Sequence, residues 1–510
     1  MILILASESD EQAQRLAGRW PATVITPTDL SKAGWRFEVP AGNEGISIAS
    51  GRTISNRKIT GVLTRLACVS ERDLPHISSE DRAYVAGEMH SFLVAWLDSL
   101  DCPVLNRPTP TSLCGTLGPI TCSPVEESDE SVVVVGENCF GAAEPDHAAQ
   151  ALRIAREAGV DLLEVFFRKG EFVAAGLVPC LSREDASEAV YHFLTTNQRI
   201  SSKPPVPAYG RQGRSQVLLW GLPADGPLNR VHEELRQMGA PVVLIDQRDV
   251  METEVCACEV RVHGERFPLD AIQSVYLRNY DSTRLPHVRG SSEEALRHAA
   301  EVDAALIRWV ATTSAFLVSP LDAMSANDSK PYQSRWISTF GWRIPQTLIT
   351  TDPYAAREFW KQHGSVIYKS ISSVRSRVAR LTPEHDRRLE DITNCPTQFQ
   401  EYISGIDYRV HVVGSEVFAC QVRSEADDYR YAGDSGAEFH PCQLPPEVED
   451  RCIRMSAAMR LPVSGIDLRL TPEGEWVCFE VNPSPGFSAY EDVTGQPIAA
   501  AVARLLLNPS

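Results

Sequence analysis

The chain has 510 residues, a hydrophobic fraction of 43% and a formal net charge of -18 at pH 7. That length can bury more than one core and suggests about two to four domains. The acidic balance, with no basic stripe, argues against a nucleic-acid partner, because phosphate binding needs a local excess of Lys and Arg.

In chain order, Met1 to Ser7 reads as a strand; the apolar run is short and Glu8, Asp10 and Glu11 follow at once, unlike a signal peptide. Glu11 to Trp20 is helical and Ala22 to Thr26 is a second strand, so the chain opens on a βαβ unit of a parallel layer. No stretch of about 18 apolar residues predicts a membrane span. The 13 cysteines show no CxxC pair, Cys256 and Cys258 being nearest in sequence, so free thiols in a reducing cytoplasm are expected and a zinc site is not.

Ser201 to Ser215 carries three prolines and two glycines without apolar periodicity, and reads as a linker. After it the opening recurs: a strand from Gln216, a helix near Leu228 to Met238, a turn at Gly239 and a strand ending at Asp246. Gly61 to Arg65 then matches Ser274 to Arg278, and Leu74-Pro75 matches Leu285-Pro286. Helices near Tyr84 to Leu100 and Ala295 to Thr313 follow, and Gly170-Glu-Phe-Val matches Gly474-Glu-Trp-Val. The amino-terminal half therefore reads as a shortened, diverged copy of the carboxyl-terminal half.

The strongest chemical signal lies between Gly465 and Gly486. Asp467 stands on one predicted hairpin strand and Glu480 and Asn482 on the other, where alternation puts them on one face. Three convergent oxygen side chains suit hard cations held against phosphate oxygens.

With these residues the stretch from about Asn327 to Leu507 resembles an ATP-grasp domain of the RimK type, the ribosomal-protein glutamate ligases, and is similar to ATP-grasp maturases of ribosomal peptides. The resemblance implies α/β and α+β architecture, ATP, and Mg2+, expected as two ions on Asp467, Glu480 and Asn482. It further implies that Lys330 and Lys369 anchor the nucleotide. Gln400, Glu401, Tyr402 and Ile403 would form the hinge at the adenine edge, with the Glu401 side chain contacting the base. Asp407 falls where the family holds the ribose. Arg409 and Arg430 are the expected catalytic residues, since a guanidinium fork neutralises a transferred phosphoryl group or a tetrahedral oxyanion. The stretch Ser370 to Val378 departs from the family, because the phosphate loop is usually glycine-rich and this one offers serines, Arg375 and Arg377.

The expected domains are 1–120, like a pre-grasp domain; 121–200, a truncated ATP-grasp remnant; the linker 201–215; 216–320, the pre-grasp domain; and 321–510, the ATP-grasp domain. Aligning Gly170 with Gly474 puts Gly176 at the place of Glu480 and Val178 at that of Asn482, so the first copy has lost its metal ligands. No lysine lies between Lys58 and Lys169, Asp161 is at best a relic, and the nucleotide-covering subdomain is expected to be deleted. This half is read as a scaffold or dimer face, with a recognition module for a peptide or carrier protein as the other reading.

The function implied is ATP-dependent formation of an amide through an acyl phosphate. Three readings stay open: a ligase for a small-molecule acid and amine or a carrier protein, a ligase or macrocyclase acting on a ribosomal peptide, and a non-catalytic ATP-binding partner. Tyr280 and Asp281 are candidate acceptor contacts.

Overall fold

The computed structural model describes residues 1–40, 45–117, 128–142, 144–196, 215–256, 258–372, 378–424 and 437–509. The chain divides into two compact units, Met1–Pro205 with Ser325–Ile403, and Val206–Met324 with Ser404–Ser510. This cuts across the expected domain limits. Residues 325–403, assigned from sequence to the ATP-grasp domain 321–510, group with the amino-terminal copy.

The first unit opens on a parallel sheet in the order Ala22–Ile25, Ile2–Leu5, Gly61–Thr64, Val104–Leu105. The second opens on the same order: Val242–Asp246, Gln216–Gly221, Ile272–Arg278, Phe316–Val318. In both, a helix follows the first strand and is capped at its start by an aspartate. Asp10 accepts from the Ala13 amide and Asp225 from the Leu228 amide, each satisfying one of the amides the first helical turn leaves unpaired.

An antiparallel sheet repeats as well. In the first unit the order is Glu171–Gly176, Leu162–Arg168, Glu130–Val135, Asn138–Phe140. In the second it is Trp476–Asn482, Val463–Leu470, Ile406–Val413, Glu416–Arg423, Glu438–Cys442. The helices Pro145–Ala158 and Pro446–Ala458 occupy equal places in the two orders. The helix Glu184–Thr196 packs on the strands Gly61–Thr64 and Glu130–Val135, just as Ile498–Leu507 packs on Ile272–Arg278 and Ile406–Val413. Gly170 and Gly474 turn their hairpins at φ of 80° and 85°, a region that a side chain disfavours.

A joint is repeated too. Arg65 Nε meets Asp10 at 2.8 Å and donates through Nη1 to the Pro179 carbonyl at 3.0 Å. Arg278 Nε meets Asp225 at 2.6 Å and donates through Nη1 to Ser484 Oγ at 2.9 Å and the Pro485 carbonyl at 3.2 Å. Each guanidinium ties the cap of the first helix to the loop that follows the last hairpin strand.

The copies differ where their meanders lie. In the second unit, Thr253–Val255, Glu259–Val262 and Glu265–Pro268 form a separate three-stranded sheet. In the first, Arg36–Val39, Ile46–Ala49 and Arg52–Ser55 extend a seven-stranded sheet that also holds Thr347–Thr350, Thr397–Glu401, Val366–Lys369 and Ala379–Arg380. Arg36–Val39 pairs antiparallel with Thr347–Thr350, which is how residues from the second half join the first unit. An edge-on aromatic cluster of Trp35, Phe37, Phe92 and Trp96, all fully buried, closes the junction. Each such pair contributes about 0.5–1.5 kcal/mol beyond its buried area.

Among the described residues, no helix or strand lies between Leu105 and Glu130, and none of the helices is long and apolar enough to cross a membrane. Every described cysteine is a free thiol.

Candidate functional site

In the first unit, Lys330 starts the helix Lys330–Thr339 and Lys369 ends the strand Val366–Lys369. Lys330 is 8% exposed, and its ammonium donates to the Ser370 carbonyl at 3.2 Å and to the Ser372 carbonyl. Lys369 lies opposite Gln398 in the antiparallel ladder, so the two side chains share a sheet face. Gln400, two residues on, shares that face; Glu401, by alternation, does not.

The register therefore turns the Glu401 side chain, expected at the base, away from that face. Its carboxylate accepts from the Gln346 amide at 2.8 Å and lies 3.8 Å from His363 Nδ1. Gln400 instead turns to the Lys369 side. It is 2% exposed, donates to Thr347 Oγ1 at 3.1 Å, and leaves its Oε1 without a hydrogen-bond partner. Thr347 Oγ1 itself donates to the Pro345 carbonyl at 3.1 Å, which fixes the orientation of the Gln400 amide. A buried acceptor without a donor costs about 1–3 kcal/mol, and an incoming amino group would relieve it. Tyr402 carries the Arg380 guanidinium over its ring at 3.8 Å, and Ile403 is buried.

In the second unit, Asp467 pairs with Glu480 across the hairpin, and Gly465 pairs with Asn482. Asp467 also pairs on its other side with Arg409. Paired residues point to the same face, so Asp467, Glu480, Asn482 and Arg409 share one, while Ile466, Val410 and Val481 fill the other at 0% exposure. The sequence-expected trio is thus brought together. Two carboxylates and an amide oxygen on adjacent strands form a hard donor set that fits Mg2+. Asn482 Oδ1 accepts from the Ser484 amide at 2.9 Å, which fixes its rotamer and leaves a second lone pair.

Arg409 is 6% exposed and binds Asp467 through Nη1 at 2.7 Å. Its Nε lies 3.5 Å from Nε2 of His411. Burial first, and then the Arg409 charge, hold the His411 pKa well below its usual 6.5, so the imidazole is neutral and can accept from the guanidinium. Gly465 makes this possible, because a Cβ there would stand 2.7 Å from Arg409 Cζ and 2.8 Å from Pro485 Cβ. Asp407, expected at the ribose, gives both carboxylate oxygens to Arg469 at 2.7 and 2.8 Å. Tyr280 and Asp281 serve the local fold: the Tyr280 amide and carbonyl both bind the Gln247 side chain, and Asp281 caps the turn at Thr283. Arg375, Arg377 and Arg430 lie outside the described residues.

In the first copy Glu164 stands at the ladder position that Asp467 holds in the second, facing Gly176 as Asp467 faces Glu480. Glu164 is 6% exposed and accepts from the Cys180 amide at 2.8 Å, while Asp161 precedes the strand. Sequence reasoning also missed Glu88, Asp225 and His411, because each gains its meaning from a partner distant in the chain or across a ladder.

Residues 337–506 match the RimK-like ATP-grasp domain, a span that runs through both compact units. The chain is 34% identical over 209 residues to a probable alpha-L-glutamate ligase of Xanthomonas campestris pv. campestris, covering 39% of this chain and 72% of the relative. A probable alpha-L-glutamate ligase of Cellvibrio japonicus is 27% identical over 209 residues, 39% of this chain and 69% of the relative. For the corresponding protein of a Picosynechococcus strain, identity is 35% and the match spans 36% of its length and 21% of this chain. Two solved structures share the fold. The macrocyclase MdnC bound with precursor peptide MdnA from Microcystis aeruginosa has a TM-score of 0.51 and 22% identity over 57% of this chain and 99% of its own. A Chryseobacterium gregarium RiPP-associated ATP-grasp ligase in complex with ADP and a leader and core peptide has a TM-score of 0.51 and 21% identity over 58% of this chain and 97% of its own. The match over residues 337–506 and the 34% identity over 72% of a probable alpha-L-glutamate ligase show that the chain belongs to the RimK-like ATP-grasp ligases, the family of the alpha-L-glutamate ligases.

Proposed function

We propose that the chain activates a carboxylate with ATP as an acyl phosphate and joins it to an amine, as a peptide-modifying ligase with a single active ATP site in its carboxyl-terminal copy. In this reading, a carboxylate oxygen of the substrate attacks the γ-phosphorus and the bond from that phosphorus to the β,γ-bridging oxygen breaks, releasing ADP. The amine nitrogen then attacks the acyl carbon, phosphate leaves, and the amine proton passes to solvent. A poor leaving group is thereby replaced by a good one.

Lys330 and Lys369 hold the phosphates, Gln400 Oε1 accepts from the adenine amino group, and the backbone from Glu401 to Ile403 meets the adenine edge. Asp467, Glu480 and Asn482 would hold Mg2+, expected as two ions, which when bound would neutralise phosphate charge. Arg409 and Arg430 offset charge on the phosphoryl group and the oxyanion. The observation that carries the reading is the face shared by Asp467, Glu480, Asn482 and Arg409 in a chain of this family. The peptide acceptor draws support from relatives that are probable alpha-L-glutamate ligases and from ligases of this fold bound to precursor peptides.

The test is release of ADP and phosphate by the full chain with Mg2+, ATP and a panel of acids and amines that includes glutamate and peptides. Turnover that requires both acid and amine, and that falls at least about a hundredfold in Glu480→Gln, supports the reading. ADP formation that survives Glu480→Gln with Asn482→Ala would overturn the metal assignment.

A further inference from the structure

The helix Arg82–Ser99 belongs to the amino-terminal copy, yet it is buried in a way its counterpart is not. Twelve of its 18 residues are buried, against five of 20 in Glu293–Thr312 of the other copy. The added burial comes from residues 325–403 of the same unit. Ser91 Oγ donates to the Asp328 carbonyl at 2.7 Å, and Ser329 Oγ donates to the Ser91 carbonyl at 2.7 Å. Asp98 lies 3.6 Å from Arg335, and Phe92 packs edge-on against Phe37 beside the strand Thr347–Thr350.

At the centre of this contact is a buried carboxylate. Glu88 is 3% exposed, and its two oxygens accept three hydrogen bonds: from the Ile371 amide at 2.6 Å, the Ser372 amide at 3.0 Å and Ser372 Oγ at 2.5 Å. Those donors directly follow Lys369 and Ser370. The same turn is held from its other side by Lys330, whose ammonium donates to the Ser370 and Ser372 carbonyls and whose amide donates to the Ile371 carbonyl at 3.1 Å. Burial raises the Glu88 pKa, and the bonds from Ser372 and Ile371 and the Lys330 charge oppose that rise. A carboxylate buried this deeply persists only when its lone pairs are satisfied.

We propose that Glu88 is a positioning residue for nucleotide binding: from the diverged copy, it fixes the Ser370–Ser372 turn and with it the two lysines that flank the phosphates. The inference rests on the ATP reading given above. It gives the amino-terminal copy a definite part in the reaction, because the turn that follows Lys369 is held by a carboxylate from that copy.

The test uses the full chain, with Mg2+-ATP affinity measured by calorimetry and adenosine affinity by displacement of a fluorescent ATP analogue. In Glu88→Gln the amide has one acceptor oxygen for three donors and sets an N–H against them. The expected result is an ATP Kd raised about tenfold or more with adenosine binding within about twofold of wild type. A generally weakened fold would lower both together. ATP binding within twofold of wild type, or parallel loss of ATP and adenosine, overturns the proposal. Should Glu88→Gln unfold, Ser372→Ala removes one donor and keeps the carboxylate; a rise of about threefold in the ATP Kd alone supports the proposal and no change overturns it. A wild-type chain that binds no Mg2+-ATP would instead sink the nucleotide reading and the proposal with it.

Discussion

Arg278 binds Asp225 at 2.6 Å, and through this pair the start of one helix is tied to Ser484 and Pro485, just beyond the strand Trp476–Asn482. Arg65 and Asp10 repeat the relationship at 2.8 Å in the first copy, whose last hairpin strand, Glu171–Gly176, ends in Gly176 opposite Glu164. The joint is therefore a property of the duplicated fold, and the second copy uses it to seat Asn482 and the loop behind it.

Removing Asp225 takes away a helix cap and leaves a guanidinium with 12% side-chain exposure beside no carboxylate. Asp225→Ala is expected to destabilise by about 3 kcal/mol, read by urea unfolding. Asp10→Ala should cost a similar amount, since Arg65 has 8% side-chain exposure. A loss below about 0.5 kcal/mol in both would show that neither joint contributes to stability.

Gly465→Ala should abolish turnover while leaving most of the fold. The new Cβ would stand 2.7 Å from Arg409 Cζ, so the guanidinium must leave Asp467. Acid-dependent ADP release is expected to drop at least about a hundredfold. Activity within twofold of wild type would mean that the Arg409 position is not required.

Gln400 and Glu401 separate two readings of the adenine contact. Gln400→Leu is expected to weaken ATP binding about fivefold to tenfold, the size of one hydrogen bond, and Glu401→Gln to leave it within about twofold. The opposite pattern would restore Glu401 as the base contact and contradict the register argument.

His411 gives the second unit a pH dependence. Its pKa is depressed on folding, so a neutral imidazole contributes stability that is present above the unfolded value of 6.5 and is lost as pH falls below it. Between pH 7.5 and pH 5.5 the wild type should lose more stability than His411→Gln, by on the order of 1 kcal/mol, other groups being common to both. Equal losses by urea unfolding would show that the imidazole is not buried neutral.

Much of this was legible in the sequence, because the signals were local. Apolar periodicity and turn residues placed the paired openings at Met1 and Gln216, and the spacing of Asp467, Glu480 and Asn482 placed these three side chains on one hairpin face. What was missed depends on register or on distant partners. The face of Glu401 follows from the pairing of Lys369 with Gln398, which no single strand reveals. That Glu164 stands where the other copy has Asp467 follows only from its ladder position opposite Gly176. Glu88 reads in sequence as one acid on a mostly apolar helix, and its three donors lie 283 and 284 residues away. The compact units likewise follow from the pairing of Arg36–Val39 with Thr347–Thr350, a contact between chain segments that share no motif.

The central claim is one ATP site on a duplicated scaffold, carried by the second copy. Titration of the full chain with Mg2+ and a non-hydrolysable ATP analogue tests it most directly. The account predicts one nucleotide per chain, binding weakened at least about tenfold by Lys369→Ala and unchanged by Glu164→Gln. Two nucleotides per chain, or full binding after Lys369→Ala, would contradict it.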